Sequence, residues 1–354
     1  MPDSLLPPAP RDAVAAMAPY VPPTGDRLGK LRLDFNENTV GCSPRVLDYL
    51  RNNISAEGLA VYPAYTSLRA EAAKFYDLPA EQMMFTNGTD EAIHVFIQTY
   101  VNAGEEVLIL RPSYAMYRFY AELTGAKVRE VDYPLPDFAF PLNDLLQAIT
   151  TDTRAVIVSN PNNPTGSATD LAGLRAILQR AAHCPVLIDE AYFEFCGVTA
   201  LQEIGAFPNA VVSRTFSKVY GLAGLRMGVM FSDARNIAYM HKAQSPYSVN
   251  VFAALAAQEA MRDQQYVQSY VAEVLESRAQ LEAALDRLRI PRVTSSANFV
   301  LALVGTRAIE IRDALRGQAI LVRDRSYEIP GGVRFTLGTR EQTARLIEQL
   351  ERIW

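Results

Sequence analysis

The sequence contains little cysteine and little histidine. Its 354 residues include three cysteines, at positions 42, 184 and 196, and three histidines, at positions 94, 183 and 241. The cysteines are far apart and form no C-x-x-C pair, which argues against a disulfide framework and favours free thiols in a reducing compartment. No histidine is spaced from another histidine or a cysteine as zinc ligands are, so we expect no metal site.

Runs of one charge and long apolar runs are also absent. The net charge is −5 without a basic block, which makes nucleic acid and anionic membranes poor partners. No apolar run approaches the roughly 20 residues of a membrane-spanning helix, and the first 25 residues lack the pattern of a secretory signal. We therefore expect a cytoplasmic protein, and its length allows two domains.

A regular alternation of strand and helix patterns occupies the middle of the chain. Short apolar runs at 83–86, 106–110, 127–131, 155–158, 186–188, 210–213 and 227–231 are separated by helical stretches. This alternation predicts an α/β fold with a mostly parallel central sheet covered by helices. We assign residues 46–249 to this large domain, residues 31–45 plus 250–354 to a smaller α+β domain, and the proline-rich residues 1–30 to an arm.

The stretch SRTFSKVYGLAGLRMG, from Ser213 to Gly228, lies between two strand-like runs. Lys218 therefore lies in a glycine-bounded turn between buried strands. Thr215, Ser217 and Arg226 offer the hydroxyl and guanidinium donors that suit a phosphate dianion. An amine beside such a phosphate can form a Schiff base with a phosphorylated aldehyde. A surface loop with scattered cations explains the short motif equally well when it is taken alone.

Other polar side chains follow strand ends, where ligands of parallel sheets bind. Gly88 and Thr89 stand between a strand and a helix, which is typical of an anion site and also of an ordinary turn. Asp189 ends an apolar strand, and a buried carboxylate needs a partner. A protonated pyridine nitrogen would supply one, and so would a structural role as a helix cap.

Two further positions suit a flat, ring-shaped ligand. Asn163 lies in the polar turn 160–166, NPNNPTG, and could donate a hydrogen bond to an oxygen on a bound ring. Tyr114 follows another strand end, where its ring could stack on the ligand. A rigid turn and a core or surface tyrosine are the simpler interpretations of the same residues.

Taken in order, the motifs resemble those of class I/II aminotransferases of the pyridoxal-phosphate fold type I, over nearly the whole chain. Within this family the histidinol-phosphate aminotransferases are the most similar. The match rests on ten motifs: LDFNEN (33–38), Tyr62-Pro63, NGTDEAI (87–93), PSYAMY (112–117), NPNNPTG (160–166), IDEAYFEF (188–195), SRTFSKVYGLAGLRMG (213–228), SANF (296–299), LVRDRS (321–326) and VRFTLGTREQ (333–342).

The resemblance implies pyridoxal 5′-phosphate as the cofactor. Lys218 would form the Schiff base with it and shuttle a proton during the reaction. Asp189 would bind the pyridine nitrogen, Tyr192 and Asn163 the phenolic oxygen, and Tyr114 would stack on the ring. The phosphate would be held by a cup of six residues: Gly88, Thr89, Asp90, Thr215, Ser217 and Arg226.

The resemblance also implies how substrate and subunits meet. Tyr62 would reach the phosphate bound to a neighbouring subunit, which implies a homodimer with shared active sites. Arg334 would clamp the substrate carboxylate, and Arg323 would join it for a substrate phosphate. Tyr20 and Asn38 would lie at the substrate end. Nearby, residues 39–42 depart from the proline–aromatic pair of many relatives.

The expected reaction is amino transfer from L-histidinol phosphate to 2-oxoglutarate, giving imidazole-acetol phosphate and L-glutamate, in histidine biosynthesis. Transamination of aromatic or other amino acids, and decarboxylation of a phosphorylated amino acid, are alternatives on the same scaffold. A non-catalytic pyridoxal-binding module lacks support because the chain has no basic helix-turn-helix segment. A nicotinamide dehydrogenase would need G-x-G-x-x-G after its first strand, which is absent.

Overall fold

The computed structural model describes residues 8–19, 25 and 27–354. These residues form two β-sheets with helices packed on them. The strands are β1 (Leu31–Leu33), β2 (Met83–Thr86), β3 (Glu106–Arg111), β4 (Lys127–Asp132), β5 (Thr153–Ser159), β6 (Val186–Asp189), β7 (Ala210–Thr215), β8 (Gly228–Ser232), β9 (Phe299–Leu303), β10 (Ile320–Asp324) and β11 (Gly332–Thr336).

The α-helices alternate with the strands in the first two thirds of the chain and dominate the rest. They are α1 (Asp12–Ala15), α2 (Pro44–Asn53), α3 (Ala56–Ala60), α4 (Thr66–Tyr76), α5 (Gly88–Tyr100), α6 (Ala115–Thr124), α7 (Leu142–Ala148), α8 (Leu171–Arg180), α9 (Phe193–Cys196), α10 (Ala234–Ala243), α11 (Val251–Arg262), α12 (Gln264–Arg287), α13 (Ala308–Gly317) and α14 (Arg340–Ile353).

The larger sheet has seven strands in the order β2-β8-β7-β6-β5-β3-β4. All of them run parallel except β8, which pairs antiparallel with both β2 and β7. Because β8 runs the opposite way, it begins at the edge where the other strands end. Arg226, just before β8, is therefore brought to the same edge as the residues that follow β5, β6 and β7. The predicted fold class is confirmed.

Each buried strand of the larger sheet contributes alternate side chains to two apolar layers. In β3, Val107 and Ile109 belong to one layer, with helices α5, α6 and α10, whereas Leu108 and Leu110 belong to the other, with α4, α7, α8 and α11. This period of two is what a strand imposes on its side chains. Burial on both faces explains why the strands are continuous apolar runs in the sequence.

The smaller sheet has four strands in the order β1-β10-β11-β9. Strand β1 is parallel to β10, and the β10-β11-β9 pairs are antiparallel. The domain boundaries proposed from the sequence stay a prediction, with which this division of strands between two sheets is compatible. Part of the predicted arm lies outside the described residues, and α1 lies in the rest. No helix in the part of the chain that the structure describes is long and apolar enough to cross a membrane.

Candidate active site

A cavity of about 340 Å³ opens at the carboxyl ends of the parallel strands of the larger sheet. Residues predicted from the sequence form most of its wall: Thr89, Asp90, Tyr114, Asn163, Asp189, Tyr192, Thr215, Ser217, Lys218 and Arg226. The rest of the wall was not predicted: Phe35, Glu37, Tyr117, Ser159, Ala191, Ala223 and Gly224.

Lys218 follows β7 and reaches across the cavity to the segment that follows β1. Its Nζ donates a hydrogen bond of 3.0 Å to the backbone oxygen of Phe35, and lies 5.8 Å from the ring centre of Tyr192. Desolvation, followed by the charge of Arg334, lowers the pKa of the Lys218 amine to about 8. At pH 7 about a tenth of the amine is then neutral, and so nucleophilic, compared with less than about 0.1% for an ordinary lysine.

Asp189 is the last residue of β6 and is 3% exposed. Its Oδ2 accepts a hydrogen bond of 2.7 Å from the Tyr117 hydroxyl, and Oδ1 accepts bonds of 3.2 Å from Ser213 and the Ala191 N–H. Burial raises the pKa of Asp189 to about 6, although these hydrogen bonds oppose the rise. No described side chain forms an ion pair with this carboxylate, so the site favours a cationic ligand atom against it.

The opposite end of the cavity contains donors for an anion. The Thr89 hydroxyl, in the first turn of α5, is buried and has no hydrogen-bond partner among the described residues. Gly88 has φ +75°, and a Cβ there would lie 2.6 Å from an Arg226 nitrogen. Arg226 binds Asp90 Oδ2 at 3.0 Å. A positive helix terminus, a hydroxyl without a partner among the described residues and a guanidinium are donors of the kind that bind phosphate.

The middle of the cavity is lined by side chains that suit a planar ring. The Tyr114 hydroxyl donates to Asp90 Oδ1 at 2.7 Å, which fixes the ring of Tyr114 in the wall. Asn163 accepts a hydrogen bond from Arg334 through Oδ1, so its amide N–H groups remain as donors for the cavity. The Tyr192 hydroxyl accepts a hydrogen bond of 3.0 Å from Asn36, and can donate its own proton to a ligand oxygen.

Arg334 lies behind Asn163 and is 4% exposed. It donates one hydrogen bond to Asn163 and another, of 2.6 Å, to the backbone oxygen of Asp34. Its Nε has no partner among the described residues. Burial and the charges of Arg325 and Arg323 lower its pKa to about 10. Arg323 stands opposite Arg334 in the antiparallel register of β10 and β11. The Arg323 guanidinium lies 5.5 Å from the Phe35 ring centre.

Among the predicted residues that the structure describes, five are outside this cavity wall: Gly88, Arg323 and Arg334, described above, and Tyr62 and Asn38. Tyr62 is 76% exposed and stacks on Tyr247, with ring centres 4.4 Å apart. Asn38 is buried and organises its own turn, because its amide donates to Val219 O and accepts from the N–H groups of residues 40 and 41. Tyr20 lies outside the described residues.

Three residues support the site without having been predicted. Tyr117 and Ser213 both bind Asp189, and Asn36 joins Tyr192 to Thr336 of β11. Tyr117 lies in the first turn of α6, three residues after the N-cap Tyr114, so helical spacing was the available signal. Ser213 stands opposite Asp189 in the β6–β7 register. Asn36 has φ 58°, a conformation that asparagine tolerates better than most residues.

The residues present fit pyridoxal 5′-phosphate, the cofactor that the resemblance implies. The orphaned Thr89 hydroxyl and the Arg226 guanidinium, which can pack against Gly88 because that residue has no side chain, suit its phosphate. The unpaired buried carboxylate of Asp189 suits a protonated pyridine nitrogen. The amine of Lys218 lies in the same cavity as both. Thr89, Asp189 and Lys218 therefore correspond to the phosphate, the ring nitrogen and the aldehyde of one molecule.

Comparisons with known proteins agree with this arrangement. The family model described as aminotransferase class I and II matches residues 29–350. The histidinol-phosphate aminotransferase of Symbiobacterium thermophilum is 37% identical over 355 residues, which cover 96% of this chain and 97% of that protein.

Solved structures give the same result. The histidinol-phosphate aminotransferase of Clostridium acetobutylicum superposes with a TM-score of 0.84 and 25% identity, over 91% of this chain and 98% of that one. The enzyme of that name from Sinorhizobium meliloti, in complex with pyridoxal-5′-phosphate, has a TM-score of 0.86 and 23% identity, over 97% and 96% of the two chains. At 23% identity this second likeness concerns the fold alone.

Proposed function

Since the chain belongs to the class I and II aminotransferase family, we propose that it transfers the amino group of L-histidinol phosphate to 2-oxoglutarate. The products are imidazole-acetol phosphate and L-glutamate, in histidine biosynthesis. Curated relatives at 31–37% identity carry the corresponding name. The observation that carries the proposal is that Lys218 and Thr89 share one cavity, in which the wall residue Asn163 is bound by the buried Arg334.

Pyridoxal 5′-phosphate is the cofactor of this family, and when bound it supplies an aldehyde that accepts the amino group and a ring that withdraws electrons from the substrate Cα. Asp189 would hold its ring nitrogen in the protonated state. Thr89, Ser217 and Arg226 would hold its phosphate, and Asn163 and Tyr192 its phenolic oxygen. Tyr114 would limit the movement of the ring.

Lys218 has two tasks in this proposal. Its lowered pKa supplies a neutral amine that can bind the cofactor covalently and, once released, can take a proton from the substrate Cα. Arg334 anchors the substrate anion, because neutral acceptors hold two of its nitrogens and its charge remains uncompensated by them. Arg323, opposite it in the register, adds a second positive charge for a phosphate dianion.

We further propose a homodimer in which Tyr62 completes the site of the neighbouring subunit. Tyr62 and Tyr247 form a stacked pair on the surface, and the neighbouring Val61 is 61% exposed. An exposed apolar patch of this kind is typical of a protein interface. The three cysteines are free, which supports a reducing compartment, the cytoplasm, as the location.

The proposal can be tested with the purified protein and a panel of amino donors. Steady-state rates with 2-oxoglutarate should be highest for L-histidinol phosphate, compared with phenylalanine and O-phosphothreonine. Lys218→Ala should lose both the activity and the covalent cofactor adduct that borohydride reduction leaves in the native chain. If histidinol phosphate is the poorest donor of the panel while the adduct still forms, the family chemistry stands and the substrate assignment is wrong.

A further inference from the structure

We propose that Arg325 is a third substrate-binding guanidinium, beside Arg323 and Arg334, and that Glu328 is its displaceable counter-ion. The three arginines would then select a phosphate dianion over a carboxylate at this end of the substrate. The inference rests on the proposed function, which it deepens by assigning a specificity residue.

The strand register places the three arginines on one face of the smaller sheet. Arg323 stands opposite Arg334 in the antiparallel pair of β10 and β11. Arg325 follows Arg323 by two residues. Its backbone N–H donates a hydrogen bond of 2.8 Å to the backbone oxygen of Gly332, which continues the pairing of β10 with β11. Residues two apart on a strand point to the same face.

The donors of this cluster are incompletely used. The Nε atoms of Arg325 and Arg334 are both buried and have no hydrogen-bond partner among the described residues. Buried guanidinium donors normally find acceptors, because an unpaired buried polar group costs free energy. Two such donors on adjacent strands indicate a ligand with several acceptor oxygens, and a phosphate group has three of them.

The charges around the cluster also favour a dianion. Arg325 forms an ion pair with Glu328, the side chains being 11% and 25% exposed, and its guanidinium lies 5.2 Å from the Tyr327 ring centre. Arg334 has only neutral acceptors. The nearby carboxylates of Asp34 and Glu37 are both bound by Arg27. Among the described residues, Glu328 is therefore the one carboxylate that pairs with any of these three guanidinium groups, which leaves two positive charges uncompensated.

Glu328 gives this cluster a counter-ion that a ligand can replace. It lies three residues after Arg325, in the turn between β10 and β11, and it is more exposed than the arginine it binds. A phosphate dianion would offer Arg325 two charges in place of one, whereas a carboxylate would offer no more than Glu328 does. Competition with Glu328 therefore favours phosphate substrates over carboxylate substrates.

The experiment uses the full-length holoenzyme, whose own phosphate site is filled by the cofactor. Inhibition of the glutamate half-reaction is measured with inorganic phosphate and with acetate as probes. Arg325→Gln should weaken phosphate inhibition by about 10- to 100-fold, the range for hydrogen bonds to charged groups, and acetate inhibition by less than about 3-fold. Arg325→Lys should retain part of the effect. Glu328→Gln should strengthen phosphate inhibition several-fold.

Opposite effects of Arg325→Gln and Glu328→Gln distinguish ligand binding from a structural ion pair. If both variants weaken phosphate inhibition, or if neither changes it, the inference is wrong. Arg307 and Glu310 form a surface pair with the same three-residue spacing, so Arg307→Gln and Glu310→Gln are matched controls that should change neither probe.

A second measurement separates this inference from the proposed function. kcat/KM for L-histidinol phosphate should fall in Arg325→Gln by about the same factor as phosphate inhibition. If the unaltered enzyme rejects histidinol phosphate but the phosphate results hold, the dianion site stands and the proposed substrate is wrong. If histidinol phosphate is a good substrate and Arg325→Gln leaves its kcat/KM unchanged, Arg325 has no role in its recognition.

Discussion

The hydroxyl of Tyr117 lies 2.7 Å from Oδ2 of Asp189, to which it donates a hydrogen bond inside the core of the larger sheet. Both side chains are buried, and the residues are 72 positions apart in the chain. The bond stabilises the charged form of a carboxylate that burial otherwise disfavours. Tyr117 therefore helps to keep Asp189 ionised for a cationic ligand atom.

Tyr117→Phe should weaken cofactor binding with little change in the fold. Loss of this hydrogen bond raises the pKa of Asp189 further and weakens its pairing with the ring nitrogen. We expect the dissociation constant of pyridoxal 5′-phosphate to rise about 5- to 15-fold, the equivalent of a bond worth about 1 to 1.5 kcal/mol. Fluorescence titration of the apoprotein measures this constant.

Tyr133→Phe is the matched control for this change. Its hydroxyl is also buried, but it has no hydrogen-bond partner among the described residues. Removing it should leave cofactor affinity unchanged. Equal affinities for the Tyr117 and Tyr133 variants would mean that the Tyr117 bond does not act on Asp189.

Asp189→Asn should stabilise the apoprotein at neutral pH. Burial raises the pKa of Asp189 from 3.8 to about 6. Between these two pH values the folded state keeps a proton that the unfolded state has lost. Below pH 3.8 Asp189 is protonated in both states, and its ionisation costs no stability. Above about pH 6 it is ionised in both states, and the full cost of burying the charge lowers the stability of the fold. About two pKa units correspond to about 3 kcal/mol.

Urea unfolding of the native and Asp189→Asn apoproteins between pH 4 and pH 8 tests the direction of this effect. The asparagine variant should be more stable by up to about 3 kcal/mol at pH 8, and the difference should shrink as the pH falls from 6 to 4. The exposed Asp152→Asn should show no such trend. A difference that grows at low pH would contradict the account of Asp189.

Much of the site was predictable because its residues follow strand ends in the chain. Lys218, Asp189 and Thr89 each follow or end an apolar run, and parallel strands bring such positions to one edge of a sheet. Their common cavity is what the structure adds. The same reasoning could not find Asn36, which reaches Tyr192 across 156 positions and Thr336 across 300, because the packing of the two sheets creates those contacts.

The fold was predictable to a similar extent. The buried strands are continuous apolar runs, and β2 begins and ends where the pattern predicts. Helices α10 and α13 were not predicted from the sequence. Helix α10 buries only Ile237 and Met240, so its apolar stripe is too narrow to stand out. The antiparallel direction of β8 has no local signal, because a buried strand has the same composition in either direction.

Thr89→Val should weaken binding of the cofactor's phosphate without changing binding of its ring. The hydroxyl of Thr89 is buried and unpartnered among the described residues, so its removal should leave the stability of the apoprotein equal or higher. Affinity for pyridoxal 5′-phosphate should fall about 10-fold, while affinity for pyridoxal, which lacks the phosphate, should not change.

Parallel titrations of the apoprotein with the two compounds measure this difference. Thr99→Val is a useful control, since its hydroxyl binds a backbone oxygen of its own helix far from the cavity. Equal losses of affinity for pyridoxal and its phosphate in Thr89→Val would show that Thr89 does not contact the phosphate.

Arg214→Met should strongly destabilise the fold. Arg214 and Glu190 form a 3.0 Å ion pair with side chains 9% and 0% exposed, next to Asp189 and in the strand that leads to Lys218. Removing one partner leaves a buried uncompensated charge, and we expect a loss of about 3–5 kcal/mol in urea unfolding. The double variant Arg214→Met, Glu190→Gln should recover part of this loss.

The exposed pair of Arg235 and Asp233 provides the comparison for this prediction. Its side chains are 78% and 28% exposed, and Arg235→Met should cost less than about 1 kcal/mol. If Arg214→Met is as mild as Arg235→Met, the buried pair does not hold β6 and β7 together.

Subunits with different defects should complement each other if the proposed dimer shares its sites. In a mixed dimer of Lys218→Ala and Tyr62→Ala chains, one site has an intact Lys218 from one chain and an intact Tyr62 from the other. The second site has both defects. Each single variant should be nearly inactive as a homodimer, whereas the mixed dimer should recover about half of the native activity, because one of its two sites is intact.

Co-expression of the two variants with different tags allows the mixed dimer to be purified and assayed. Tyr239→Ala replaces Tyr62→Ala in the control pair, since Tyr239 is also exposed, at 57%, and lies on α10 outside the cavity wall. That chain has an intact site, so its homodimer should be fully active. A mixed Lys218→Ala and Tyr62→Ala dimer that stays inactive would mean that each chain uses its own Tyr62, or that Tyr62 serves stability alone.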